Sequence, residues 1–219
     1  MFHRIVIEKS TAAAYIANIH SKEMTMTFKA IIAACILATV VVLSSASTPT
    51  LPHGWLMAGS IPTAYEAGIE TRGGTAGGPT GFLKSKADHV PGFGTLMQSF
   101  SADDYRGKRV RFSASLRAES LKDWGSIWMR IDDKNGRTTA FDNMNKRPIK
   151  GTAGWQTYEI VLDVAPESQL IALGLMMGDA GQIWIDQARL EIVPLSVPVT
   201  DTLSGAIARP GPVNLDFTR

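Results

Sequence analysis

Apolar and polar residues alternate along several short segments, and this alternation limits the fold more than any other feature of the chain. Between residues 109 and 118, every even-numbered side chain is apolar and every odd-numbered one is polar. Side chains of a β-strand point alternately to two faces, so this pattern predicts strands with one buried face. Residues 126–132 repeat the pattern, with Ile127, Met129 and Ile131 on one side and Trp128, Arg130 and Asp132 on the other.

Residues 181–191 predict the last strand. The residues expected to face the core are Ile183, Ile185, Ala188 and Leu190. Their spacing slips by one residue near Gln187, which indicates a β-bulge. Asp186 lies inside this strand, and a polar side chain there must reach solvent or find a partner.

The remaining strand signals lie at 55–59, 66–71, 81–87, 94–100, 138–143, 155–164 and 169–177. Residues 133–136, Asp-Lys-Asn-Gly, predict a hairpin turn because the Asn-Gly pair favours positive φ angles. No segment beyond the N-terminal region has the pattern of a long amphipathic helix. The chain is therefore expected to be all-β, with two antiparallel sheets packed as a β-sandwich.

The N-terminal region predicts export. Residues 30–43 form an apolar run that follows Lys29 and precedes small residues ending at Ala46. This pattern is typical of a secretory signal peptide, since a spanning helix needs about 20 residues. The alternative is an uncleaved anchor in the inner membrane. Residues 1–23 fit neither role, and a start at Met24 would give a compact signal peptide.

Composition changes along the chain suggest four regions. These are an extension with a signal peptide at 1–46, a linker at 47–53, a β-sandwich module at 54–194 and a linker with a C-terminal tail at 195–219. Cys35 is the single cysteine, so the module is expected to be stable without disulfides.

Several function classes are disfavoured by the composition. Residues 1–46 hold four of the 22 basic and two of the 20 acidic residues, which leaves 18 of each in the rest of the chain. A neutral module gives no support for nonspecific binding to nucleic acid. Only His53 and His89 lie beyond the N-terminal region, and no nucleophile motif or metal-spaced cluster occurs there. We therefore expect a protein that is not an enzyme.

The order of several motifs resembles the galactose-binding-like jelly-roll superfamily, which includes carbohydrate-binding modules of glycoside hydrolases. The resemblance covers roughly residues 54–193. It rests on Gly54-Trp55, Tyr65-Glu66, Gly92–Gln98, Tyr105–Val110, Trp128–Arg130, Phe141–Met144, Arg147–Ile149, Gly151-Thr152, Trp155, Tyr158 and Gly181–Glu191. It implies a jelly-roll sandwich whose ligand is left open, because one fold hosts many functions.

The chain departs from such modules at its ends. An Asn-Leu-Asp-Phe-like segment usually opens their first strand, whereas here it occurs at 214–217. This segment either docks as the missing edge strand or begins a second module. The third interpretation is a tail with an accidental match.

A sugar site needs an aromatic platform for the C–H face of the ring and polar groups for its hydroxyls. The candidate ligand-binding residues are Trp124, Trp128, Arg130, Asp142, Asn143 and Arg147. In the alternative interpretation Trp128 packs beneath a loop and Arg130 forms an ion pair with Asp142. Trp155 and Trp184 are predicted to be core residues.

Arginines on the polar face of residues 109–117, together with Arg130, would suit an anionic ligand such as a uronate. A charge-balanced, solvated face is the alternative. The family resemblance also implies a structural calcium held by the first and last strands, with Glu66 and Asp186 in comparable positions. Two carboxylates supply few of the six to eight oxygens that calcium takes.

Together these observations predict an exported, periplasmic or extracellular, non-catalytic module that binds a glycan or a similar polar ligand. The alternatives are a module that binds a protein partner, and a sensor or accessory part of a regulatory or peptidase system. We expect contact with a membrane only if the segment at residues 30–43 is not cleaved.

Overall fold

The computed structural model describes residues 50–200, and this part of the chain is all-β as predicted. It has two short 3-10 helices, Pro62–Ala64 and Asp103–Tyr105, and no α-helix. Its strands are β1 (Leu56–Gly59), β2 (Tyr65–Glu70), β3 (Thr80–Ser85), β4 (Phe93–Ser101), β5 (Arg109–Asp133), β6 (Thr138–Asp142), β7 (Ile149–Asp163), β8 (Ser168–Gly178) and β9 (Gln182–Val193).

All nine strands belong to one antiparallel hydrogen-bonded sheet, and the long strand β5, which has 25 residues, is shared by its two halves. Its first half pairs with β7 and β9, and its second half pairs with β6 and β8. The strand order is β1-β4-β8-β5-β6 in what we call the front sheet and β2-β3-β9-β5-β7 in the back sheet. Ser120, with a φ of 54°, lies where β5 passes from the back sheet to the front sheet.

The core lies between the two sheets, and the alternating pattern places side chains in it as predicted. The even-numbered residues of 110–118 face this core, and so do Ile127, Met129 and Ile131. Burying one large aliphatic side chain stabilises a fold by about 1.5–3 kcal/mol. Other strands contribute large, fully buried side chains to the same core, among them Leu83, Leu96, Leu162, Ile171 and Leu175.

The predicted bulge in β9 is confirmed. Ser113 pairs with Arg189 and Ser115 with Asp186, so β9 has one residue more than β5 in this interval. Gln187 adopts a φ of 53° at that point. The expectation that Ala188 faces the core is wrong: it is exposed, because the bulge interrupts the alternation of the strand there.

The chain beyond β9 follows the back sheet as far as it is described. The backbone N–H of Thr200 donates to the carbonyl of Val161 over 2.8 Å, and the N–H of Val161 donates to Oγ1 of Thr200 over 3.0 Å. Thr200 therefore lies against the edge strand β7. The predictions for the signal at 30–43, for Cys35 and for the segment 214–217 fall outside the described residues. Within residues 50–200, no helix has the length and hydropathy that a membrane span needs.

Candidate functional site

The outer face of the front sheet carries a shallow apolar groove of about 290 Å³, which we call the front groove. Five strands contribute to it, because rows of paired residues cross β1, β4, β8 and β5 on the same face, and Phe141 of β6 pairs with Arg130 of β5. In one such row Thr95 pairs with Ala58 and Met176, and Met176 pairs with Ser126. The groove is lined by Ala58, Gly59, Phe93, Thr95, Met97, Trp128, Arg130, Phe141 and Met176.

Trp128 forms the floor of the front groove. Its side chain is 7% exposed and packs with Ala172 and Met176. The indole Nε1 donates to Oγ1 of Thr95 over 2.8 Å, and that hydroxyl donates in turn to the carbonyl of Leu175. All three polar groups are therefore satisfied internally. Trp128 supports the groove from below and offers little of its ring to a ligand.

Of the two tryptophans on this face, Trp124 is the one that reaches the surface. It is half-buried and lies against Gly178, its register partner on β8. A Cβ atom at Gly178 would come within 2.6 Å of the indole Nε1 and 2.7 Å of Cε2. The ring also contacts Phe93, with centroids 6.5 Å apart and planes tilted by 38°. The missing side chain of Gly178 thus makes room for a Trp124 platform beside the front groove.

A second depression, about 390 Å³, adjoins Trp124. Polar side chains surround the ring there, with amide groups from the segment that joins β6 to β7 and an ammonium group from the start of β7. The lining residues are Trp124, Asn143, Asn145, Pro148 and Lys150. We call this depression the side pocket. It combines one aromatic surface with hydrogen-bond donors and acceptors.

Asp142 and Arg147 lie apart from this face. Asp142 is fully buried on the opposite side of β6 and accepts hydrogen bonds from Arg147, at 2.7 Å, and from the N–H of Met144, at 2.8 Å. Arg147 also donates to the carbonyl of Glu159. The pair holds the chain after β6 against β7, which is a structural role.

Arg130 borders the front groove, but its partner is not the expected Asp142. Its Nε donates to Oδ2 of Asp132 over 3.0 Å, two residues along the same strand. Asp132 is buried and also accepts from the hydroxyl of Thr138. The structure therefore brings Trp124, Trp128, Arg130 and Asn143 to one face.

The two candidate calcium ligands are not neighbours. The row of Glu66 crosses Lys84 and reaches β9 at Gln182, four residues before Asp186. Asp186 instead accepts hydrogen bonds from the N–H and hydroxyl of Thr75, both at 2.7 Å, and from the N–H of Gln187. Residues 50–200 contain no group of three or more side chains arranged to hold a metal ion. A calcium site at Asp186 stays a prediction.

The outer face of the back sheet carries the arginine stripe of β5. Arg109 forms an ion pair with Asp163, and Arg111 one with Glu191. Arg130 belongs to the other sheet, so the four arginines do not form one basic surface. Trp155 and Trp184 also lie on this outer face, on either side of Arg117, and neither belongs to the core between the sheets. Trp184 is buried as predicted, at 4% exposure, whereas Trp155 is only half-buried, and neither side chain packs in the central core.

No protein-family model matches the chain. Over 165 residues it is 39% identical to YbfP of Bacillus subtilis (strain 168), an uncharacterized HTH-type transcriptional regulator. That alignment covers 75% of this chain and 56% of the relative, so the chain spans little more than half of the relative's length.

Two solved structures illustrate the structural neighbours. The CBM22-1 xylan-binding domain of Paenibacillus barcinonensis Xyn10C has a TM-score of 0.45 and 14% identity, over 67% of this chain and 90% of that one. The enzymatically active domain of tailspike protein 4 from Bacteriophage CBA120 has a TM-score of 0.47 and 12% identity, over 64% of this chain and 20% of that one. With scores at this level, the function has to be argued from the site itself.

Proposed function

We propose that the protein is a non-catalytic binding module that holds a glycan on the outer face of the front sheet. The observation that carries this proposal is the half-buried indole of Trp124, which lies on Gly178, contacts Phe93 of the front groove and lines the side pocket. An aromatic ring fixed in this way is a platform for the apolar C–H face of a sugar ring.

Polar groups around the platform complete the chemistry. On one side, the amides of Asn143 and Asn145 and the ammonium group of Lys150 supply donors and acceptors for ring hydroxyls. Arg130 borders the far part of the groove, six residues along β5 from Trp124. Six residues of a strand span about 20 Å. The surface is therefore long enough for a chain of sugars, and a polysaccharide is the ligand that fits it.

Export of the module is part of this proposal, and it rests on the signal-like segment at 30–43. A second candidate function is favoured by the 39% identity to a transcriptional regulator. In that case the same front groove would be the ligand-sensing part of a regulatory system. Both functions place the ligand on Trp124, and they differ in whether binding is passed on to another domain or partner.

A glycan array probed with the purified protein and matched variants tests the proposal. Trp124→Ala removes the platform, and Gly178→Ala displaces the Trp124 ring from its position against residue 178. Each variant is expected to abolish binding. Gly154→Ala is the matched control, because a Cβ there meets nothing within 4 Å. It should bind like the wild type. Failure of the wild type to bind any glycan, or binding unchanged in Trp124→Ala, would overturn the proposal.

Trp128→Ala is expected to impair folding, so it cannot test ligand binding. The residue is buried, and removing a buried tryptophan costs about 3–5 kcal/mol of stability. We expect this variant to have a much lower melting temperature than Trp124→Ala. Thermal denaturation followed by circular dichroism separates the two, and similar melting temperatures would contradict the assignment of Trp128 to the floor.

A further inference from the structure

Arg117 occupies a slot between two tryptophans on the back sheet, on the face of the molecule away from the front groove. Its guanidinium carbon lies 3.9 Å from the ring centroid of Trp184 and 5.8 Å from that of Trp155. Both distances are within the range of a cation–π contact. The stacking holds a flexible side chain in one place, so a ligand that uses it loses less conformational entropy on binding.

Arg117 differs from the other arginines of its stripe. Arg109 and Arg111 each have a carboxylate partner, whereas no carboxylate of residues 50–200 forms an ion pair with Arg117. Nε of Arg117 and Nε1 of Trp184 are both buried, and neither has a hydrogen-bond partner within the described part of the chain. Trp184 itself is 4% exposed. Such unpartnered groups are rare in folded proteins and call for an explanation.

The unpartnered groups are all donors, which fixes the kind of ligand they fit. A guanidinium group has five N–H donors and no acceptor, and an indole has one donor. A carboxylate accepts from the guanidinium fork in two places, and the opposite charges of the two groups strengthen both hydrogen bonds. Trp155 is half-buried and adds an aromatic surface beside the guanidinium group. A carboxylate attached to a sugar ring would use both features.

We propose that Arg117, Trp155 and Trp184 form a second binding site, for a uronate residue of an acidic polysaccharide. Its carboxylate accepts from Arg117, and its ring lies against Trp155. Two acidic side chains are close along the strands, Glu119 on β5 and Asp186 on β9. Asp186 accepts a hydrogen bond from Thr75. The negative charges of Glu119 and Asp186 disfavour anions that bind by charge alone. The site therefore selects a ligand that brings an apolar ring face together with its carboxylate.

The test follows the indole N–H signal of Trp184 and the Nε–H signal of Arg117 by NMR during a titration at constant ionic strength. The probes are trigalacturonate, its fully methyl-esterified form and acetate. We expect saturable shifts of both signals with trigalacturonate alone. Equal shifts with the ester, equal affinity for acetate or no shift with any probe would overturn the proposal. This comparison needs only the wild-type protein.

Matched variants locate the site. Arg117→Gln should weaken trigalacturonate binding by about tenfold or more, as expected for losing a hydrogen bond to a charged group. Arg111→Gln removes the same charge from the same stripe and should change the affinity by less than about twofold. Equal losses in both variants would overturn the proposal. Trp124→Ala should leave this binding intact, so the outcome is independent of the front groove.

Discussion

Trp128 shows at the scale of single residues how the front sheet combines an apolar floor with satisfied polar groups. Its indole N–H, the hydroxyl of Thr95 and the carbonyl of Leu175 form a chain of hydrogen bonds across three strands. A buried donor without a partner costs about 1–3 kcal/mol. The Thr95 hydroxyl meets this need for Trp128, and it fixes the orientation of the ring beneath the groove.

Asp186 anchors the glycine-rich loop between β2 and β3 through Thr75. Burial raises the pKa of Asp186, but hydrogen bonds from Thr75 and Gln187 outweigh it and hold the pKa below its ordinary value. A lowered pKa in the folded state stabilises the fold above the unfolded pKa of about 3.9, and this contribution is lost as the pH falls through the folded value. Asp186→Asn should therefore cost more stability at pH 7 than at pH 3, measured by urea denaturation.

Asp123→Asn is the control for this prediction. Asp123 is exposed, and its carboxylate has no partner within residues 50–200. Its substitution should change the free energy of unfolding little at either pH. Equal destabilisation by Asp186→Asn at both pH values would show that the carboxylate charge is not what holds the loop.

Only part of the candidate site could be predicted from the sequence. Alternation in 126–132 correctly placed Trp128 and Arg130 on one face, because a strand has a period of two. It could not show that Trp128 is covered, since coverage comes from Met176 and Phe93, which are distant in sequence. The contact between Trp124 and Gly178 depends on which strands are neighbours, and that information is absent from local patterns.

At the scale of elements, β5 determines how the two sheets are arranged. Both its halves showed the alternating pattern, whereas the connecting residues 119–125 are mostly polar. The structure keeps them within one strand, with a positive φ at Ser120. The alternating pattern predicted a strand on each side of these residues but not that the strand is continuous, because a bend inside a strand and a short turn have the same composition.

The bulge in β9 places the backbone of Gln187 in a strained conformation. Gln187 has a φ of 53°, a region that a residue with a side chain adopts at a cost and that glycine adopts freely. We expect Gln187→Gly to raise the free energy of unfolding by up to about 1 kcal/mol. Arg189→Gly, two residues further along, should lower it, because glycine weakens a regular strand. Chemical denaturation measures both, and destabilisation by Gln187→Gly would contradict the argument.

The whole described module is expected to unfold as one unit. Since β5 pairs in both sheets and its even-numbered side chains face one shared core, neither sheet retains its packing without the other. Indole N–H signals report on each sheet separately, with Trp124 and Trp128 in front and Trp155 and Trp184 at the back. We expect these signals to disappear at the same urea concentration. Distinct midpoints for the two pairs would show that the sheets unfold independently.

The contact between the Trp124 ring and Gly178 affects how related sequences should be compared. One methyl group at position 178 would displace the ring while leaving the core between the sheets untouched. In the proposed function, a substitution at position 178 would therefore abolish ligand binding without affecting folding. A tryptophan aligned with Trp124 is therefore a poor marker of shared binding by itself. The tryptophan and the glycine must be inherited together.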